Sequence, residues 1–254
     1  MAVRYIKMIK LIKRNLRALK STYSSKKVLG LLSSDERSLV KKIKDSRLTY
    51  LSDHKLCSII GTLNSIKNSG VPGSFIEAGC ALGGSAILIG KLGEKGRALR
   101  VYDVFGMIPP PTEEDTDDVH DRYKSIVEGN STGLGGDKYY GYEDNLYEKV
   151  VDNFKTFGLA PKEGEVELIK GLVQDTLHVT EPVALAHIDV DWYEPVMTCL
   201  ERIYPMLSVG GAIILDDYHA WGGCRKATDE FLRGVAGSFT LDNSSESLKI
   251  TKIK

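Results

Sequence analysis

Four aspartates end two apolar runs of this sequence and could act together as acids, bases or metal ligands. Asp189 and Asp191 end the run ALAHIDVD, and Asp216 and Asp217 end the run AIILDD. If the first run is a strand, residues two apart project to the same face, so the two carboxylates either repel each other or share something positive. If the two strands are neighbours, four carboxylates meet in a small volume and repel one another strongly.

A hard divalent cation would relieve this repulsion. Mg²⁺ prefers carboxylate oxygens and keeps water ligands that exchange with a substrate, whereas zinc favours a set of Cys and His donors, and no such set competes here. The pattern therefore predicts a magnesium site. The alternative is two separate helix caps with ion pairs to lysine or arginine.

A glycine-rich turn precedes these acids in the chain. In FIEAGCALGG an apolar run reaches Glu77, Gly79 follows, and Gly83 with Gly84 opens a helix. Small residues let the backbone approach a ligand, and a helix N-terminus offers free N–H groups. Asp103 ends the next apolar run, where doubly wound folds place an acid on ribose hydroxyls. Together they predict a nucleoside ligand, against the alternatives of a plain tight turn and a capping aspartate.

Composition indicates an ordinary globular protein. The chain has 254 residues, of which 42% are hydrophobic and 27% charged, and this length favours one α/β domain with additions. Its four cysteines are scattered without a CxxC pair, which is typical of reduced cysteines in a cytoplasmic protein.

The net charge of +0 hides an asymmetry. Residues 1–27 carry lysine and arginine but no acid, so the remainder is acidic and a poor binder of nucleic acid. Apolar residues of the first twenty positions recur at helical spacing, which predicts a basic amphipathic helix. This helix either packs on the body or a second subunit, which we favour, or lies on a membrane surface. We therefore expect a homo-oligomer.

From residue 72 short apolar runs alternate with helical patterns, which predicts a parallel sheet with helices on both faces. The expected strands are 73–79, 97–105, 166–172, 184–191 and 210–218, with an antiparallel pair at 237–243 and 247–254. The expected helices are 34–46, 52–68, 84–92, 143–157, 194–207 and 223–234. We divide the chain into an N-terminal helical extension, 1–48, and a main domain, 49–254.

One segment interrupts the alternation. Residues 106–142 hold three consecutive prolines, an acid cluster and several tyrosines. A loop of this length in a compact domain is usually functional, and it directly follows the carboxyl end of a strand. We interpret it as a lid over the site; the alternative is a mobile surface insertion.

These blocks resemble the macrocin O-methyltransferase (TylF/MycF-type) family of S-adenosylmethionine (SAM)-dependent enzymes. VPGSFIEAGCALGGSA, VYDVFGMIPPP, IKGLVQDTL and the long block from HIDVDWYEP to DDYHAWGGCRKATDEF carry the similarity over about residues 47–234. The resemblance implies a Rossmann-like class I SAM methyltransferase fold, with a mostly parallel seven-stranded sheet and an antiparallel C-terminal hairpin. It also implies a divalent metal, usually Mg²⁺, and a hydroxyl substrate, which we expect to belong to a sugar.

The resemblance also implies roles for individual residues. Asp189, Asp216 and Asp217 would bind the metal, and Asp191 would be the general base. The SAM site would include Gln174 and Asp175 near the adenine, and Thr49 with Tyr50 would approach from the N-terminal side. Its other members would be Glu77, Gly79, Ala81, Gly83, Ser85, Asp103 and Asp189.

Three other functions remain open from the sequence. A catechol-like phenol O-methyltransferase would share the metal chemistry. An NAD-dependent oxidoreductase would use the glycine turn and the ribose acid but has no need for the four aspartates. A membrane-associated binding protein would rest on the N-terminal helix alone.

Overall fold

The computed structural model describes residues 26–235 and 237–254. The predicted basic amphipathic helix therefore lies almost entirely outside the described residues, and the division at residue 48 stays a prediction. Within these two ranges, no helix is long and apolar enough to cross a membrane.

Seven strands form one sheet in the order β3-β2-β1-β4-β5-β7-β6. The pairs among the first five are parallel, and β7 runs antiparallel to both β5 and β6. The mostly parallel sheet and the antiparallel C-terminal pair are thus confirmed. The strands are β1 Ser74–Ala78, β2 Leu99–Asp103, β3 Val166–Lys170, β4 Val183–Ile188, β5 Leu207–Leu215, β6 Phe239–Asp242 and β7 Leu248–Lys252.

The register of the central strands brings their carboxyl ends level. Ala78 pairs with Ile188, and Ile188 pairs with Leu215. The residues that follow these three positions therefore emerge side by side at one edge. This alignment places the glycine turn and both aspartate pairs at the same end of the sheet, where ligands bind in open α/β folds.

Helices cover both faces of the sheet. They are α1 Ser34–Asp45, α2 Asp53–Asn68, α3 Gly84–Leu92, α4 Asp117–Val127, α5 Leu146–Thr156, α6 Val173–Thr176, α7 Tyr193–Ile203 and α8 Gly222–Gly234. Successive strand residues point to opposite faces: Phe75 belongs to the core beneath α1, α2 and α3, and Ile76 belongs to the core beneath α7 and α8. Every residue of β1 and β4 is buried, as expected for parallel strands covered on both sides.

Side-chain caps fix the starts of the two helices that precede the sheet. Ser33 accepts from the backbone N–H of Glu36, and Glu36 accepts in return from the N–H of Ser33, a capping box that begins α1. Ser52 accepts from the N–H of Lys55 and begins α2. Lys55, the residue whose N–H makes this cap, also reaches the carboxyl end of β5 with its side chain.

Two segments differ from the sequence-based expectation. The predicted lid contains the amphipathic helix α4 and two short 3₁₀ turns, Leu134–Gly136 and Tyr140–Tyr142. Strand β4 was expected to reach residue 191 but ends at Ile188. The cause lies in the turn after this strand, which also shapes the site.

Candidate active site

Two adjoining cavities open at the carboxyl edge of the sheet. The first lies between the ends of β1, β2 and β3, and its lining includes Gly79, Asp103 and Gln174. The second encloses about 440 Å³ beside β4 and β5. Asp189 and Asp191 belong to both linings and therefore mark the boundary between the two compartments.

A tight turn brings Asp189 and Asp191 together, whereas strand alternation was the predicted reason. Asp191 has left-handed backbone (φ +58°), and the N–H of Trp192 donates to the carbonyl of Val190 at 2.6 Å. The chain therefore folds back at once after β4. Both carboxylates face the second cavity because of this reversal, not because of a pleated strand.

Three of the four predicted acids converge. One carboxylate oxygen each of Asp189, Asp191 and Asp217 lie within 4.8 Å of one another. Burial, followed by the neighbouring carboxylates, raises the pKa of both Asp189 and Asp191 well above its usual range. One oxygen of Asp217 is buried without a hydrogen-bond partner among the described residues. Hard oxygen donors that lack compensation fit a divalent cation.

Asp216 stands apart from this group because a lysine binds it. The ammonium of Lys55 lies 2.6 Å from its carboxylate and 3.0 Å from its backbone carbonyl. Burial opposes the charge of Asp216, but His187 and Lys55 outweigh burial and lower the pKa of this carboxyl. Asp216 was predicted as a metal ligand; the structure places it next to the three-acid group and ion-paired with α2.

A fully buried ion pair lies beneath the acids. Nδ1 of His187 is 3.1 Å from a carboxylate oxygen of Glu77, which also accepts from the hydroxyl of Ser85. On the other side of the ring, Nε2 lies 3.7 Å from Asp216. Burial disfavours the imidazolium, but the two carboxylates outweigh it and raise the pKa of His187 to about 10.

Gly79 and Asp103 shape the predicted cofactor turn. Gly79 has φ +81°, and a Cβ at this position would stand 1.9 Å from the carbonyl oxygen of Asp189. Only glycine therefore fits against the turn that follows β4, residues 189–192, which we call the β4 turn. Asp103 accepts backbone N–H bonds from Cys80, Ala81 and Phe105 at 2.7, 3.2 and 2.7 Å. A carboxylate has about four acceptor positions, which leaves capacity for a ribose hydroxyl.

The other predicted cofactor residues divide into two groups. Ala81 and Tyr50 line the second cavity, and Gln174 lines the first. The remaining five line neither cavity. Glu77 and Ser85 bind each other in the buried group around His187, and Gly83 packs against Phe154. Thr49 accepts from the N–H of Leu51, and Asp175 is exposed. Their roles toward a cofactor stay predictions.

The structure adds site residues that the sequence reading missed. Lys55 and Arg122 bring positive charge to the second cavity, and Tyr139 and Tyr140 bring aromatic surface. Lys55 belongs to a helix to which the sequence assigned no role in the site, and its partner Asp216 lies far along the chain. Arg122 lies on α4, inside the segment expected to be a loop, and its guanidinium packs over the ring of Tyr139 at 5.8 Å.

Relatives of this chain are O-methyltransferases of Streptomyces and Micromonospora. The family described as Macrocin-O-methyltransferase (TylF) matches residues 8–237. The 8-demethyl-8-(2,3-dimethoxy-alpha-L-rhamnosyl)-tetracenomycin-C 4'-O-methyltransferase of Streptomyces olivaceus is 31% identical over 215 residues, which cover 82% of this chain and 76% of the relative. The demethyldecarbamoylnovobiocin O-methyltransferase of Streptomyces niveus is 28% identical over 191 residues, with coverages of 72% and 67%.

Solved structures show the same fold. The O-methyltransferase NovP superposes with a TM-score of 0.69 at 23% identity, over 82% of this chain and 83% of NovP. An O-methyltransferase from Bacillus cereus, solved with S-adenosylhomocysteine (SAH), superposes with a TM-score of 0.56 at 13% identity. The superposition covers 91% of this chain and 97% of the other. The fold is that of class I SAM methyltransferases, and the match over most of its length shows that this chain belongs to the macrocin O-methyltransferase family and is a SAM-dependent O-methyltransferase.

Proposed function

We propose that this enzyme methylates a sugar hydroxyl of a natural-product glycoside and that the reaction requires a divalent cation, with Mg²⁺ the preferred ion. One observation carries the metal part. Asp189, Asp191, Asp216 and Asp217 line a cavity that directly adjoins the predicted cofactor cavity. The methyl donor and the acids therefore meet where the two compartments join.

The charges around the second cavity support a divalent cation. Its lining contains five aspartates and two cations, Lys55 and Arg122. When all five are ionised, these carboxylates exceed the two cations by three charges, and a divalent cation would offset most of this excess. In a low-dielectric cavity such an attraction is stronger than it would be in water.

The roles that we propose are those that the resemblance to the family implies. Asp189 and Asp217 bind the cation, with Asp216 as the further predicted ligand, and Asp191 accepts the proton of the acceptor hydroxyl. A bound divalent cation supplies Lewis-acid chemistry that makes such a hydroxyl easier to deprotonate. The acceptor oxygen then bonds the methyl carbon of SAM as the methyl–sulfur bond breaks, and the proton passes to Asp191. The cavity boundary at Asp189 and Asp191 aligns donor and acceptor.

A sugar is the acceptor that relatives and cavity favour. The Streptomyces olivaceus relative is named for a rhamnosyl compound. Aromatic side chains surround the acids in the second cavity, namely Tyr50, Tyr139, Tyr140, Trp192 and Trp221. Such rings pack on the C–H face of a pyranose while the carboxylates and Arg122 bind hydroxyls. A catechol-like phenol is the second candidate, because two adjacent phenolic oxygens would also reach a cation at the acids.

An acceptor panel tests the proposal. The full-length protein is incubated with SAM, Mg²⁺ and either methyl α-L-rhamnoside, other methyl glycosides or catechols, and the products are analysed by mass spectrometry. We expect a mass increase of one methyl group in a glycoside arm. Methylation confined to catechols would assign the enzyme to phenols, and no SAM or SAH binding in calorimetry would contradict the cofactor assignment.

We also propose that the protein is a homo-oligomer, that its basic N-terminal segment packs on protein rather than on membrane, and that it works in the cytoplasm. The acidic remainder of the chain supports the second point, and the four free cysteines support the third. Light scattering and vesicle flotation with and without residues 1–27 test the first two. Strong recruitment of the full chain to anionic vesicles would contradict packing on protein.

A further inference from the structure

The turn that carries Asp191 needs support from outside itself. Asp191 is a non-glycine residue with φ +58°, a conformation that non-glycine residues rarely adopt. It persists only where the surroundings hold it. Two hydrogen bonds from the residues next to Asp191 go to the lid, residues 106–142.

The lid accepts hydrogen bonds from the two residues that follow Asp191. The indole N–H of Trp192 donates to the backbone carbonyl of Pro109 at 2.9 Å. The backbone N–H of Tyr193, the first residue of α7, donates to a carboxylate oxygen of Asp115 at 2.8 Å. Trp192 is 2% exposed and Asp115 is 9% exposed. Helix α7 thus receives its N-terminal cap from another segment of the chain, because its own cap residue Trp192 has no side chain that caps.

Asp115 is itself held in place from two sides. Its second carboxylate oxygen accepts from the backbone N–H of Thr112 at 3.0 Å. On the opposite side, Gly223 in the first turn of α8 has no side chain. A Cβ there would stand 2.2 Å from Asp115 Oδ1 and 3.0 Å from the nitrogen of Tyr193. The carboxylate fits between the starts of α7 and α8 only because position 223 is glycine.

We propose that Asp115 is a positioning residue for Asp191. By capping α7 at Tyr193, the lid carboxylate fixes the turn that presents Asp191 to the second cavity. The lid therefore binds and Asp191 reaches its position beside Asp189 and Asp217 in one event. Asp191 can accept the proton of the acceptor hydroxyl only when the lid covers the site. The inference rests on the proposed role of Asp191 as proton acceptor.

Fluorescence tests the structural half without any acceptor. The chain has two tryptophans, so Trp221→Phe leaves Trp192 as the reporter. In this background we expect Asp115→Ala to raise acrylamide quenching of Trp192 about threefold, because the turn loosens. Asp115→Asn keeps an oxygen that can accept from Tyr193 and should restore most of the protection. Glu113→Ala is the matched control: it removes an exposed acid of the same segment without a bond partner among the described residues, and quenching should not change.

A double-mutant cycle tests the functional half, with methyl α-L-rhamnoside and SAM as the probes. Asp115→Ala should lower kcat by about 10²-fold. In the Asp191→Asn background the same substitution should cost nothing further, because Asp115 acts through Asp191. Equal losses in both backgrounds or unchanged quenching would each overturn the inference.

Different results would contradict the proposed function and the role of Asp115. If Asp191→Asn turns over as fast as the unsubstituted protein, or if the unsubstituted protein does not methylate the glycoside, the proposed function is contradicted. The quenching of Trp192 then still decides whether Asp115 holds the turn. If Asp191→Asn is inactive and Asp115→Ala is fully active, only the positioning inference is wrong.

Discussion

At the residue scale, the site depends on where single carboxylates find compensation. Asp189, Asp191 and Asp217 lie together and none of them forms an ion pair within 4.0 Å among the described residues, whereas Asp216 pairs with Lys55 at 2.6 Å. Asp216 and Asp217, which are neighbours at the end of β5, therefore differ in whether a cation of the protein compensates their charge. A cation that recruits Asp216 must compete with an ammonium, but one that binds Asp217 meets a buried oxygen to which no described residue donates a hydrogen bond.

This difference predicts unequal effects of two matched substitutions. Asp217→Asn should weaken Mn²⁺ binding, measured by calorimetry, on the order of 100-fold, and Asp216→Asn by about tenfold or less. Both variants remove one charge from adjacent positions, so the comparison tests whether the contacts of Asp216 with Lys55 and His187 reduce its share in metal binding. An equal or larger loss in Asp216→Asn would contradict this prediction and would make Asp216 a principal ligand.

Gly79 gives a second prediction at this scale. Gly79→Ala would place a Cβ 1.9 Å from the carbonyl oxygen of Asp189, so the glycine turn and the β4 turn cannot both keep their positions. We expect a loss of more than about 3 kcal/mol in the free energy of unfolding, measured in urea, together with loss of SAH binding.

Gly129→Ala is the control for backbone strain alone. Gly129 has φ +78°, close to that of Gly79, and a Cβ at this position would meet no atom of the described residues within 4 Å. We expect this variant to lose only about 1–2 kcal/mol. Equal losses in the two variants would show that strain, not close approach of the two turns, explains the glycine at position 79.

At the scale of elements, the buried pair Glu77–His187 joins β1 to β4. The two residues are register partners on neighbouring strands, and both are fully buried. A sheet whose central strands share an ion pair gains a fixed register, because a one-residue slip would bury both charges without a partner. The pair therefore supports the carboxyl edge on which the acids stand.

Glu77→Gln should reveal this support. Removal of one partner from a buried ion pair typically costs about 3–5 kcal/mol, and we expect a loss of that size in urea unfolding. Glu167→Gln on β3 is the matched control, because Glu167 lies 3.9 Å from Arg100 at a partly exposed site, where such pairs contribute about 1 kcal/mol or less. Equal losses in the two variants would contradict a special role for the buried pair.

The elements also show how far the sequence could predict the structure. The strands and most helices follow from apolar runs and their spacing, since burial on both faces of a parallel sheet leaves a strong local pattern. Helix α4 was missed because the prolines and acids before it and the glycines after it resemble a loop. The left-handed turn at Asp191 and the partnership of Lys55 with Asp216 were missed because both depend on contacts between distant segments.

At the scale of the whole molecule, the chain uses one edge of the sheet for all its proposed chemistry. The glycine turn, the β4 turn, the end of β5, the lid and α2 meet there and divide the space into two adjoining cavities. This arrangement would bring a methyl donor and an acceptor together beside Asp189 and Asp191, which line both cavities.

Metal removal tests the central claim most directly. SAM-dependent methylation of methyl α-L-rhamnoside is measured after EDTA treatment and gel filtration, before and after Mg²⁺ is added back, for the unsubstituted protein and for Asp189→Asn. We predict that removal lowers the rate by about 10²-fold or more, that Mg²⁺ restores it in the unsubstituted protein, and that Asp189→Asn is not restored. Turnover that is insensitive to EDTA, or a fully active Asp189→Asn variant, would contradict the claim that these acids form a divalent-cation site for methyl transfer.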